Sequence, residues 1–484
     1  MFLTAILVYL GVLVGIGLWR SRKVRTGDDF LVAGRTLPAR VLVFTLLATW
    51  IGSGSLFAGA GLGYREGFSG LWQSAGAWVG IALIYFIAPR VRRIAQYTVP
   101  DILELRYGPV ARVLGTVTTV LAYTTIAAYQ FRGGGRLLEL VAGVDPTTGA
   151  LMTMAFCVFY TALAGMLSIA YLDVGNGLMM IIGVTLGVGY LVGHAGGMGP
   201  ALESLRPEQL QIFGTMTSGQ AFALFLPTMF LVLGEANMYQ KFFSAKDERA
   251  ARYAVVGWIV GTIVVETLID SVGIFGSPIL TGLNAEQSEA IVIRVATQVL
   301  PSFLGILLLC GAAAIIVSTA NSFLLTPSTN LMRDVYQRFI NPRVSDRNIV
   351  LYTRLIVVAL GLVGFTIGNF FPTILAMALW AYTMYGAGIT PALLGAFIWP
   401  RATRLGGVLS IAAGMSVTLG WEILGMARAV DGNPMYPSAP WLGPLNSTNG
   451  LATVYPALFF SIATLIVVSL LTKRPSAEEL KPLR

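Results

Sequence analysis

Four residues in one apolar stretch, Ile315, Ser318, Thr319 and Ser322, are separated by intervals of three, four and seven, which places them on one face of a helix. Hydroxyls and backbone carbonyls are hard, neutral oxygen ligands for an alkali or alkaline-earth cation, and a site poor in carboxylates suits a monovalent ion better than calcium. The competing reading is structural, because Ser and Thr in membrane helices commonly bond the preceding turn or a neighbouring helix. A second constellation is Gly52-Ser53-Gly54-Ser55, which interrupts the apolar run 41–64. Unpaired backbone groups in hydrocarbon cost several kcal/mol, so a helix opens there only where protein, an ion or a water-filled cavity takes over its hydrogen bonds. Many secondary transporters hold an ion and a solute at such breaks, which makes Trp50, Ser53 and Ser55 candidates for solute contact.

Carboxylates inside apolar spans usually face a cavity or a partner. Glu235 follows Gly234 in a span that carries its own breakers, Pro227 and Gly234. It is the acidic candidate for the solute, expected opposite Trp50 and Ser55. Glu266 and Asp270 stand one turn apart and read as structural or arginine-paired, and no role is assigned to Glu422. Asp173 opens another span, where a helix-start carboxylate is the bland alternative to a cation ligand.

The elements that must position these residues are membrane helices. Of 484 residues 56% are hydrophobic and 11% charged, which defines an integral membrane protein. Runs able to cross about 30 Å of hydrocarbon predict thirteen spans, near 2–19, 41–64, 70–93, 112–131, 148–168, 172–194, 219–241, 252–275, 302–331, 351–371, 375–399, 405–427 and 451–472. Placing 20–40 inside puts 26 of the 32 basic residues on the cytoplasmic side. Basic residues are retained there, so the N-terminus is expected outside and the C-terminus inside. The same asymmetry accounts for the net charge of +9 without nucleic acid. Basic residues follow the first span rather than precede it, so it reads as a retained helix and not a signal peptide. Cys157 and Cys310 read as packing residues, and His194 lies at a span end. No phosphate-binding loop, nucleophile elbow, HExxH or CxxC pattern is present, which argues against ATP-driven transport and against an enzyme.

Several stretches resemble the sodium:solute symporter family over nearly the whole chain: Asp29-Phe30-Leu31-Val32-Ala33-Gly34-Arg35, Ala48-Thr49-Trp50, Tyr97-Thr98-Val99-Pro100-Asp101 with Arg106-Tyr107-Gly108, and Val317-Ser318-Thr319 followed by Arg333-Asp334-Val335-Tyr336. The resemblance implies one all-α domain over 1–484 with the LeuT-type inverted repeat. One extra helix precedes two five-helix units, approximately 41–194 and 219–399, and two more follow. It implies sodium bound by carbonyls of Ala48, Ile51 and Ile315 and hydroxyls of Ser318 and Thr319. A second cation would use Asp173, Asn321 and Ser322, with Asn321 standing where Ser is usual. Val232 replaces the Tyr of the family's sugar and proline carriers and argues against both solutes. The implied function is import of a small organic solute (amino acid, amine or betaine, monocarboxylate or vitamin) across the plasma membrane, with Na+ as coupling ion and no other cofactor. The alternatives are proton coupling on the same fold, kept open by Asp173 and Glu235, and a solute sensor without transport.

Overall fold

The computed structural model describes residues 1–21, 27–94, 96–430, 434–447 and 449–480. Arg22, Lys23, Arg25, Lys481 and Arg484, counted in the charge asymmetry, lie outside the described residues.

Helices dominate the architecture. Ten of those described are long and apolar enough to span a membrane, and an eleventh is the bent pair Ala39–Trp50 and Gly54–Ile84, whose halves meet at 56°. That pair covers the second expected span and most of the third, and the apolar stretch Phe2–Gly17 corresponds to the first, so thirteen crossings remain compatible. The fifth and sixth expected spans are joined in one helix, Pro146–His194, within which Pro146–Leu163 and Ser168–His194 each meet the length and hydropathy of a crossing. Apolar side chains such as Leu7, Val260, Leu355, Ile423 and Phe459 are exposed on the outer surface, as expected where the solvent is lipid.

Local chemistry fixes where helices start. Thr98, Asp145, Thr217, Asp247, Ser345, Thr373 and Thr403 each accept a backbone N–H three residues on, the N-cap bond that takes up one of a helix's free donors. At Thr98 the bond is reciprocal, with Asp101 returning to the Thr98 amide.

Two tertiary devices tie segments that are distant in sequence. The turn that begins at Ala33, which with Gly34 and Arg35 has positive φ, leads to Leu37. Leu37 donates its N–H to the Ser244 carbonyl and accepts from Lys246 N–H, both at 3.0 Å, so a two-bond strap ties the start of Ala39–Trp50 to the end of Ala236–Ser244. Nearby, the Arg112 guanidinium meets Asp101 and Glu104 at 2.5 Å and Asp334 at 2.7 Å, while Thr98 donates to Asp334 and Arg338 to Glu104. The Tyr97 ring lies between Arg333 and Arg35, 3.7 and 4.9 Å from their guanidinium carbons. The motif residues around 97–104 and 333–338, far apart in sequence, thus converge on one ionic cluster.

Candidate functional site

The first break follows from its residue types. Helix Ala39–Trp50 ends where Ile51 turns extended (φ −71°, ψ 107°), and the chain resumes as a π-turn over Gly54–Gly59. Gly52 is required by close approach: a Cβ there would lie 2.8 Å from the Thr319 methyl and 3.0 Å from Gln130 Nε2. The freed backbone groups find partners on other helices. Ser53 N–H donates to Gln130 Oε1 at 2.8 Å. Thr319 Oγ1 lies 3.3 Å from the carbonyls of Ala48 and Thr49 and 2.9 Å from that of Ile51.

A threonine hydroxyl has one hydrogen. Three carbonyl oxygens therefore converge on a group that can satisfy one of them, leaving an excess of buried oxygen acceptors. That donor set matches a small monovalent cation. Ser318, one residue before, donates to Asp173 Oδ1 at 2.5 Å. Ile315, Ser318 and Thr319 are all buried, within the continuous helix Ser302–Asn330.

The expected second cation set is partly engaged elsewhere. Asp173 lies within the helix rather than at its start, wholly buried, and accepts from Thr45 at 2.6 Å as well as from Ser318. Asn321 accepts from Thr161 at 2.9 Å, and Ser322 shares a 2.9 Å hydrogen bond with Thr49. Thr49 in turn accepts from Lys241 Nζ at 2.8 Å. Lys241, one of the basic residues that the charge asymmetry assigns to the cytoplasmic side, is completely buried, one hydrogen bond from the first broken helix. Its only sequence signal was its place at the end of an apolar span.

The second break lies at Glu235 (φ −62°, ψ 115°), between Ser218–Gly234 and Ala236–Ser244. Two tyrosines support it: Tyr385 donates to the Gly234 carbonyl, and Tyr123 accepts from Ala236 N–H, both at 2.7 Å. A Cβ at Gly234 would collide with Thr390 Oγ1 at 2.3 Å. Pro227 stands inside the helix Ser218–Gly234 without ending it. Glu235 is wholly buried, with Oε1 near Asn237 Nδ2 at 3.3 Å and Oε2 without a partner.

The expected grouping of Glu235 with Trp50 and Ser55 is not among the described contacts. Trp50 Nε1 and Ser55 Oγ donate instead to Glu266 Oε1, at 2.9 and 3.2 Å. Ser53 Oγ is buried without a partner, as is Gln130 Nε2. Glu266 and Asp270, expected to be structural or paired with arginine, join none of the ion pairs among the described residues. Glu422 accepts from Tyr436 and Thr453, away from both breaks. The two cysteines are buried and free.

The model of the sodium:solute symporter family matches residues 30–414. The osmoregulated proline transporter OpuE of Bacillus subtilis is 25% identical over 97% of this chain and 94% of its own. The sodium/proline symporter of Escherichia coli is also 25% identical, over 96% and 92%. Among solved structures, a substrate-bound, outward-open Na+-coupled sialic acid symporter superposes with a TM-score of 0.79 over 98% of both chains, at 16% identity. That likeness establishes the shared fold.

Proposed function

The chain belongs to the sodium:solute symporter family, and from that premise we propose that it imports a small organic solute across the plasma membrane, driven by sodium and by alternating access. The observation that carries the reading is the Thr319 hydroxyl facing the carbonyls of Ala48, Thr49 and Ile51 at the first break. Sodium held by Ala48, Ile51, Ile315, Ser318 and Thr319 stabilises the outward-open state. The solute then binds at the breaks, within reach of Trp50, Ser53, Ser55 and Glu235. Coupling requires ion and solute each to prefer that state. The repeats take the limits 41–194 and 219–399, with the N-terminus outside.

The test is solute uptake into proteoliposomes under a sodium or a potassium gradient. Sodium-dependent uptake is expected, with Ser318→Ala and Thr319→Ala each raising the sodium requirement by about 1–3 kcal/mol of lost ion binding. Equal uptake in potassium, uptake driven by a proton gradient alone, or indifference to both alanines overturns the assignment. The same vesicles count ions: a second cation at Asp173, Asn321 and Ser322 requires Asp173→Asn to lower the charge moved per solute.

A further inference from the structure

Glu266 and Asp270 are the unexplained groups of this membrane interior. They stand on one face of helix Glu248–Gly276, 3% and 0% exposed. Each neighbouring segment meets them with residues that are also four apart. From the first broken helix come Ser55, donating to Glu266, and Gly59, whose missing side chain leaves room for Asp270 Oδ1; a Cβ there would sit 2.7 Å from that oxygen. From helix Trp72–Ile84 come Trp78, whose Nε1 donates to Glu266 Oε2 at 2.9 Å, and Ser74, whose hydroxyl donates to Asp270 Oδ2 at 2.9 Å. Trp50 completes the set through Glu266 Oε1.

Every donor in this ladder is neutral, and no guanidinium or ammonium pairs with either carboxylate among the described residues. Asp270 Oδ1 is buried with no partner at all. Two ionised carboxylates one turn apart in low dielectric cost several kcal/mol each unless a proton or another positive charge is supplied. Two further observations point to where it comes from. Ser55, which bonds Glu266, keeps part of its surface accessible at the first break, although Ser53, Gly54 and Leu56 beside it are buried. Two indoles also turn their N–H edges to the Glu266 carboxylate, which brings aromatic surface, attractive to organic cations, beside the pair.

We propose that Glu266 and Asp270 receive a protonated primary amine or guanidinium group of the transported solute, with Trp50 and Trp78 beside it. This inference rests on the reading that Trp50 and Ser55 contact the solute. An N–H donor is specified because Asp270 Oδ1 needs a hydrogen bond, which a quaternary ammonium cannot give. A carboxylate or neutral solute leaves both acids uncompensated. Glu235, on the other broken helix, is not required for recognition of the amine.

The experiment uses the purified full-length protein in sodium and in potassium, reading thermal stability and tryptophan fluorescence with 1,4-diaminobutane, agmatine, choline, butyrate and glucose as probes. Expected is a sodium-dependent stabilisation and fluorescence change with 1,4-diaminobutane or agmatine, and none with choline, butyrate or glucose. Glu266→Gln and Asp270→Asn should each weaken that response at least tenfold while the stabilisation by sodium alone survives, which also reports that the variants are folded. Trp78→Phe should diminish the fluorescence change. The proposal is overturned if sodium stabilises the protein but neither amine binds, if choline, butyrate or glucose binds with sodium dependence, or if the two carboxyl variants bind amines as well as the parent. It is also overturned if they abolish the response to sodium alone, since the pair would then be an ion site. Absence of any sodium effect on the parent protein would instead remove the symport reading.

Discussion

Thr319 is crowded from two sides. Its hydroxyl faces three carbonyls, and its methyl stands 2.8 Å from where a Cβ on Gly52 would lie. A methyl added at Gly52 would displace the side chain that gathers the carbonyls without touching any charge. Overpacking of this kind costs about 1–3 kcal/mol, so Gly52→Ala is expected to lower sodium affinity by about one to two orders of magnitude, read by sodium titration of stability or of uptake. Unchanged affinity would mean the break relaxes freely and Thr319 does not depend on it. At this scale the sequence was partly readable. The spacing of Ser318 and Thr319 could be interpreted because helical periodicity is local. The companions of Glu266 could not, since Trp50 and Trp78 lie 216 and 188 residues away and no short-range pattern encodes which indole reaches which acid. The burial of Lys241 was not legible for a related reason: the charge rule counts residues at span ends but does not measure their depth.

Between elements, the ionic cluster around Arg112 clamps helices Val99–Tyr107, Pro109–Ala142 and the π-turn Leu331–Ile340 together. Its most accessible acid, Glu104, is pushed up by partial burial, but hydrogen bonds from Arg338 and Arg112 outweigh that and hold it below its ordinary 4.5. A carboxyl depressed in the folded state contributes stability that is present above the ordinary value and lost as pH falls through the lower, folded one. Thermal stability should therefore decline as pH is lowered below about 4.5, and Arg338→Ala should flatten that decline. An identical pH profile in the variant would show that the clamp does not depend on Glu104. Removing Arg112 should be costlier, about 3–5 kcal/mol, because it strands buried acids. The motifs that form this clamp were legible as motifs, and so were the two breaks, marked by Gly52-Ser53-Gly54-Ser55 and by Gly234, although Pro227, the other expected breaker, does not end its helix. Their convergence was not, because it is a property of topology.

For the molecule as a whole, the basic asymmetry predicts which loops face the cytoplasm. A cysteine at Val430, exposed after the helix Arg404–Ala427, should react with an impermeant thiol reagent in intact cells, and one at Ser345 should not. The reverse pattern would invert the molecule in the membrane. Asn433, three positions further along the sequence, lies outside the described residues. The membrane-spanning helical architecture was readable because hydrocarbon thickness sets a length, whereas the joining of 148–168 to 172–194 in one helix was not, since a length rule divides any long apolar run into separate crossings. The first break has a further consequence, for biosynthesis. Its carbonyls meet Thr319 only across 268 residues of chain, and the strap from Leu37 must wait for Ser244. At about 5–20 residues per second, a nascent chain holds an opened helix without its partner for tens of seconds, so the insertion machinery, rather than the fold, must shelter those oxygens until the ninth span arrives.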